Sequence, residues 1–502
     1  MSRTKGMGSA VVAGAVAALG HAPFGIWPIA LLGFVYLIYA VAYAARPALI
    51  GWAGALGYFA VALHWIVEPF LVDAARHGWM APFALVLMAG GLALFWGLAG
   101  WLANKITNNN SARALAFAVC VAGAEMLRGH ILTGFPWALP AYIWADTPLR
   151  VATAWTGSYG LSLITLLAAA LPTFLSRKVG LVAAVCVLGC LAILGHVRAD
   201  YQASDQTDLG RVRLVQPNVP QNEKWDPLKV PSHIERMLAL TRGSAGQGLS
   251  DIDLVVWPEA AVAYRLDQAG LVLQAAAQAA TTGAGTEAKV ILGINRTDGE
   301  NWFNALAVVG PDGNVEETYD KVHLVPFGEY IPFRLKIIQA MAATSGFGFS
   351  SGERVRLIDT PLGRALPLIC YEGIFPGHVF RADERPDYLL QITNDAWFGE
   401  FSGPYQHLDQ ARFRSAEQGL PMVRVANTGI STVIDPFGGL QSAAEIRLGE
   451  QGYRDVAVWS IGKITFYARF GEFPTIIGIL LMLSVLMWGS KRNTIAKPST
   501  TS

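Results

Sequence analysis

Three short segments carry side chains able to do covalent chemistry. The run DLVVWPE (253–259) ends on Glu259, YDKVHLVPFGEYIP carries Lys321 and Glu329, and ALPLICYE (365–372) contains Cys370. A thiol becomes a strong nucleophile only when a base takes its proton. A carboxylate can do this if burial raises its pKa, and an ammonium group suits a developing oxyanion. Glu, Lys and Cys together therefore fit acyl transfer through a thioester. Spacing alone does not bring them together, because long stretches of chain separate them.

The chain has four cysteines. Cys120, Cys186 and Cys190 fall in apolar segments, where Cys is usually a small buried hydrophobe. Cys370 has no partner in its own region, so it is either buried and inert or kept for its reactivity. Its position at the end of a strand-like run favours reactivity, since strand ends open onto clefts in α/β folds. His233, His323 and His407 are scattered without zinc spacing, so no metal is expected.

The elements that must position these residues follow from the charge distribution. Of 502 residues, 53% are hydrophobic and only 15% charged, against about 25% charged in a typical soluble domain. The net charge of +1 gives no basic face for nucleic acid. From Gly6 to Asn104 only Arg46, Glu68, Asp73 and Arg76 are charged. A bilayer-spanning helix needs about 20 mostly apolar residues. Segments near 8–22, 27–45, 49–67, 80–103, 114–131, 153–175 and 179–196 read as seven spans, and Phe473–Ser490 as an eighth. The first follows Arg3 and Lys5 but is succeeded at once by six more, so it reads as a span rather than a signal peptide. Basic residues concentrate on one set of loops, including Arg46, Lys105, Arg177, Lys178 and Lys491. The opposite set holds Arg76, Arg128 and Arg150. The positive-inside rule then puts both termini in the cytoplasm and residues 198–472 outside, in the periplasm of a bacterial inner membrane. Glu125 and Arg128 read as a helix-end pair snorkelling to the interface.

The expected domains are a membrane domain over 1–197, a periplasmic domain over 198–471, the last span over 472–490 and a disordered cytoplasmic tail over 491–502. Within the insert, eight runs read as strands: 211–219, 253–259, 289–295, 304–310, 365–372, 388–395, 422–427 and 431–438. Several are continuously apolar, as in strands buried on both faces. Segments 231–243, 267–281 and 405–420 have helical character. The alternation predicts an α/β sandwich.

With these residues in place, the insert resembles the carbon–nitrogen hydrolase, or nitrilase, superfamily, whose members set Glu, Lys and Cys at strand ends in that chain order. The resemblance is closer to the apolipoprotein N-acyltransferase family, through LVQPNVPQNEKWD (214–226), KVHLVPFGEYIP (321–332), CYEGIFP (370–376) and TNDAWFG (393–399). It implies a polytopic α-helical membrane domain of eight spans with an inserted nitrilase-like αββα sandwich between spans seven and eight. It implies Cys370 as nucleophile, Glu259 as base and Lys321 as oxyanion partner together with the backbone N–H after Cys370. The acyl donor is then a phospholipid such as phosphatidylethanolamine, cleaved at sn-1. The acceptor is a diacylglyceryl apolipoprotein, and no cofactor is needed. Glu329 matches an additional glutamate that orients Lys321 or tunes the base. Tyr371 and Glu372 are expected to position backbone. Trp225 is expected to line a substrate pocket, and Asn394, Trp397 and Phe398 a loop bordering the site.

The segments PFGEYIPF (326–333), SGFGFS (345–350), GIFPGHVF (373–380) and AWFGEF (396–401) are expected to form apolar arms that admit lipid chains. Two other readings stay open on the residues alone. One is a membrane-tethered amidase acting on a small C–N substrate with the same three residues. The other is a non-catalytic membrane scaffold.

Overall fold

The computed structural model describes residues 3–202, 206–243, 251–331 and 348–495. The expected arm residues 332–333 and 345–347, and residues 496–502 of the expected tail, lie outside the described residues. The chain divides into two compact units. One gathers the chain up to Val67, Ala81–Tyr201 and the part from Thr465 on; the other contains Glu68–Met80 and Gln202–Ile464.

The first unit is helical. Its long helices are Arg3–Ala18, Trp27–Ala42, Pro47–Ala62, Ala81–Ile106, Asn110–Arg128, Thr153–Phe174, Arg177–Gln202 and Phe473–Ile495. Each coincides with one of the expected spans, but they are not equal. Among the described residues four helical segments are long and apolar enough to cross a membrane: Ala74–Ile106, Pro148–Phe174, Arg177–Ala199 and Phe473–Ser490. The bent pair Pro47–Ala62 and His64–Leu71 makes a fifth if it is one span. Gly6–Ala18 and Trp27–Ala42 are shorter apolar helices. Asn110–Arg128 carries Arg113, Glu125 and Arg128, which dilute its apolar face.

Glu125 and Arg128 do not snorkel. Glu125 is 0% and Arg128 2% exposed. The Trp96 indole donates to Glu125 Oε1 at 2.7 Å. Arg128 pairs with the same carboxylate and donates to the carbonyls of Phe135 and, at 2.9 Å, Trp137. The chain after the helix folds back over the pair, with Phe135 N donating to Arg128 O, a turn that helix spacing does not reveal. Of the cysteines here, Cys120 is buried, whereas Cys186 and Cys190 are exposed. The latter two sit on a helix whose outward face is apolar, with Val182 and Val185 at 64% and 70% exposure.

The second unit is a four-layer sandwich. Its strands are β1 (Thr207–Gln216), β2 (Leu254–Val256), β3 (Val262–Arg265), β4 (Lys289–Thr297), β5 (Trp302–Val309), β6 (Val315–Asp320), β7 (Ile358–Thr360), β8 (Gly363–Ile369), β9 (Tyr388–Thr393), β10 (Met422–Ala426), β11 (Thr432–Ile434) and β12 (Gly452–Ser460). One sheet runs β12-β1-β2-β4-β5-β6, with β3 also on β4; the other runs β11-β10-β9-β8-β7. The expected strands match β1, β2, β4, β5 and β8–β11. The shorter or more polar β3, β6, β7 and β12 were not among them.

Successive side chains of a strand face opposite ways, and here both faces are apolar. Leu254 and Val256 of β2 point between the sheets, with Leu390 and Ile392 of β9 and Val423 and Val425 of β10. Val255, Val290 and Leu292 face the other way, onto helices Val230–Arg242 and Gly270–Gly283 through Ile234, Met237, Leu273 and Ala277. Leu366, Leu368, Leu389 and Met422 meet helix Gly403–Gln418 at Leu408 and Ala411. Each fully buried Leu or Val contributes about 1.5–3 kcal/mol, so these layers fix the register of the strand ends. β1, β2 and β4 are parallel. β5 is antiparallel to β4 and β6 to β5, so β6 ends on the same side as β2. β8, β9 and β10 are parallel in the second sheet.

Candidate active site

Three strand ends lead to the candidate residues. Strand β2 runs into Trp257-Pro258-Glu259, β6 into Lys321, and β8 into Cys370. Trp257 is fully buried, and its indole donates to Thr241 Oγ1 at 2.8 Å. The following turn lies against β4, where Gly293 N donates to Pro258 O. A Cβ on Gly293 would stand 2.4 Å from Ala260 N and 2.6 Å from Glu259 Cα, so only glycine admits the turn.

Lys321 is the centre of the charged cluster, 1% exposed. Its Nζ lies 2.9 Å from Glu329 Oε1 and 3.5 Å from Glu259 Oε1. Asn304 of β5 bridges the carboxylates. Its Nδ2 donates to Glu259 Oε1 at 2.7 Å and to Glu329 Oε1 at 2.9 Å. Glu259 Oε2 accepts the backbone N–H of Asn394 at 2.9 Å, and Glu329 Oε2 that of Val325 at 2.8 Å. Burial pulls the Lys321 ammonium down, but Glu329, Glu259 and Cys370 overcome it and hold it above the usual lysine range. Lys321 stays a cation.

Cys370 is buried, 6% exposed. Burial pushes its thiol well up, Glu259 adds to this, and Lys321 and a hydrogen bond with Thr393 oppose it. Burial therefore favours the protonated thiol at neutral pH. Cys370 has φ +50°, a left-handed conformation that costs a non-glycine residue about 1–2 kcal/mol. The backbone is pinned there. The Cys370 carbonyl accepts from Gln391 Nε2 at 3.1 Å and lies 3.2 Å from His407 Nε2. His407 Nδ1 is 2.8 Å from Asp395 Oδ1, and Arg424 reaches Asp395 Oδ2 at 2.7 Å. Burial raises the Asp395 carboxyl, but Arg424 and His407 outweigh it and hold it below the usual range.

Glu372 links two strand ends. Its Oε1 accepts from Val322 N at 2.7 Å and His323 N at 3.0 Å, and its Oε2 from Ile369 N at 2.8 Å. One buried carboxylate thus ties the backbone beside Lys321 to that before Cys370. Burial pushes it up to about 7, against those three N–H groups and Lys321. Tyr371 is buried, with its ring edge-on to Phe375 at 5.1 Å and to His323 at 5.6 Å.

The expected substrate residues divide. Trp225 is 48% exposed, and Trp397 and Phe398 are half-buried; Phe398 meets His407 edge-on at 5.6 Å. Asn394 is buried and tied into the protein. Its Nδ2 donates to Gln221 Oε1 at 2.7 Å, and its Oδ1 accepts from Asn427 Nδ2 at 3.0 Å. This geometry ties Asn394 to Glu259 through its backbone N–H. Asn304, Gln391, Asn427 and Lys224 escaped the sequence reading. Lys224 lies inside the quoted NEKWD stretch; the others sit in apolar strands or at their ends, where no local signal distinguishes them.

Two family models cover the chain in succession. One described as Carbon-nitrogen hydrolase matches residues 211–456, so the sandwich is a carbon–nitrogen hydrolase domain. One described as Apolipoprotein N-acyltransferase N-terminal domain matches residues 13–171. An apolipoprotein N-acyltransferase of Rhodopseudomonas palustris is 35% identical over 95% of this chain and 94% of its own length. One of Caulobacter vibrioides is 36% identical over 94% and 92%. A solved CN-hydrolase superfamily protein of Xanthomonas campestris is 20% identical, covers 54% of this chain and 97% of its own, and has a TM-score of 0.37. The chain belongs to the apolipoprotein N-acyltransferase family.

Proposed function

We propose that this protein transfers the sn-1 acyl chain of a phospholipid to the α-amine of a diacylglyceryl-cysteine at the N-terminus of lipoproteins. The convergence of Glu259, Lys321 and Cys370 on one buried site, in a chain of this family, carries the reading. Phosphatidylethanolamine is the proposed donor. As Cys370 Sγ attacks the ester carbonyl, Glu259 takes the thiol proton. Lys321 and the N–H of Tyr371 hold the oxyanion. The intermediate collapses to a thioester, and Glu259 passes the proton to the departing lysophospholipid oxygen. The lipoprotein amine then attacks the thioester and gives its proton to Glu259. The amide forms, and Cys370 leaves as the thiol with that proton. This is ping-pong covalent catalysis. Glu329 and Asn304 hold Lys321 and Glu259 in place; Tyr371, Glu372 and Asn394 position backbone; Trp225, Trp397 and Phe398 meet substrate.

Both substrates are lipids, so the site belongs at a membrane. We assign residues 1–197 to a membrane domain, 198–471 to the catalytic domain and 472–490 to the last span, followed by the tail 491–502. In this topology eight segments cross the bacterial inner membrane, both termini are cytoplasmic and the catalytic domain is periplasmic. The loops 373–380 and 396–401 border the lipid.

The test is acylation of the purified full chain by a phospholipid labelled in its sn-1 chain. Hydroxylamine-sensitive label is expected on the native protein and none on Cys370→Ala. Label persisting in Cys370→Ala would remove the nucleophile from this scheme. An unlabelled native protein would return the function to a small-molecule amidase or a scaffold.

A further inference from the structure

Lys224 is a buried cation that the mechanism above leaves without a task. It is 5% exposed, and its Nζ donates to the backbone carbonyl of Glu259 at 3.1 Å. That carbonyl belongs to the peptide joining Glu259 to Ala260, and Ala260 has φ +46°. A non-glycine residue persists in that region only where its surroundings over-determine it. At Cys370 two side chains hold the carbonyl of the left-handed residue itself. At Glu259 the ammonium of Lys224 holds the peptide that leads into one.

The segment that delivers Lys224 is itself tied to the base. Val219 N donates to Asn427 Oδ1 and Asn427 Nδ2 to Val219 O. Gln221 accepts from Asn394, whose own N–H meets Glu259 Oε2. Stretch 219–224 therefore reaches the Glu259 turn twice, once through Asn394 and once through Lys224.

We infer that Lys224 is a positioning residue for the acyl-enzyme step, fixing the Glu259–Ala260 turn and supplying the second positive charge of the site. Glu259 and Glu329 both meet the Lys321 ammonium, and Glu372 and Asp395 act on Lys321 and Cys370. A further ammonium on the Glu259 carbonyl offsets part of that surrounding negative charge, which would otherwise oppose an oxyanion. Burial pulls the Lys224 ammonium down to about 8, with Glu259 and Cys370 pulling the other way. His233 lines the same small cavity as Lys224, and burial holds it below the usual histidine range, so it brings no competing positive charge at neutral pH.

The inference rests on the acyl-enzyme reading of Cys370, and the experiment separates the two. Single-turnover acylation by sn-1-labelled phospholipid is followed in the full chain for the native protein, Lys224→Met and Lys224→Arg across pH 6–10. Lys224→Met is expected to acylate on the order of 10²-fold more slowly, the scale of a small misplacement of a reacting group. Its KM for phospholipid and its melting temperature should stay close to native. The native rate should fall as pH rises through about 8, where Lys224 loses its charge. Lys224→Arg, whose guanidinium stays charged, should recover part of the rate and lack that fall. Lys224→Met acylating at the native rate overturns the inference. If Lys224→Met does not fold, matching alkaline limbs in the native protein and Lys224→Arg overturn it instead, and a missing limb in Lys224→Arg upholds it. A native protein that takes no label overturns the acyl-enzyme reading, and this inference with it.

Discussion

A glutamate beside a protonated thiol acts as a base only if it is kept ionised and aimed. Here one neutral amide does much of the aiming. Asn304 Nδ2 donates to both Glu259 and Glu329, on either side of the Lys321 ammonium. Replacing that donor by an acceptor puts a third carboxylate against the other two. Asn304→Asp is therefore expected to slow thioester formation by about 10²–10³-fold, within the range of general-base contributions. The check is the rate of labelling by the sn-1-labelled phospholipid; a rate within twofold of native would mean the bridge does not matter. Glu259, Lys321 and Cys370 could be picked out from their motifs. Asn304 could not, because it lies within an apolar strand and its partners are 45 and 25 residues away.

Among the elements, the strand ends decide the site, and their fit is close. The Pro258–Ala260 turn lies directly over Gly293 of β4, where a methyl group has no room. Gly293→Ala must push the turn outward or shift the strand, at about 1–3 kcal/mol for an overpacked position. The expected outcome is a lower melting temperature and a larger loss of acylation than of stability, since the displaced turn carries Glu259. Acylation that falls only in step with the folded fraction would show that the turn adapts. Strands β2, β4, β8, β9 and β10 were legible because both their faces are apolar. β6 was not, since its exposed Glu316 and half-buried Glu317 read as loop, although it delivers Lys321.

For the whole molecule, the question is which surface meets lipid. Helix Arg177–Gln202 presents Val182, Val185, Ile193 and Leu194 outward, each more than half exposed. In water a surface substitution there would change stability by only about 0.5 kcal/mol. In a bilayer a lysine near the middle of a span costs about 2.5–3.5 kcal/mol. Val185→Lys is therefore expected to reduce the fraction of protein that resists carbonate extraction from membranes. An unchanged fraction would mean this face does not lie in lipid. The same view corrects Glu125 and Arg128. Hydropathy placed them near a helix end, where a charged pair reads as interfacial, yet the returning chain seals them inside with Trp96.

The contrast between a stretch almost empty of charge and an insert of ordinary composition was readable from the residues, because solvent preference is a property of each side chain. So was the presence of Glu259, Lys321 and Cys370 at or just past strand ends, since side-chain periodicity and Pro and Gly punctuation act within a few residues. Which strand ends meet is another matter. It depends on strand order and on how two sheets pack, and those follow from contacts between distant segments. Only the folded chain brings Asn304 between two glutamates, Glu372 across two strand ends and Lys224 onto the carbonyl of Glu259. Each of these groups is polar and buried, and its hydrogen-bond partner lies far along the chain.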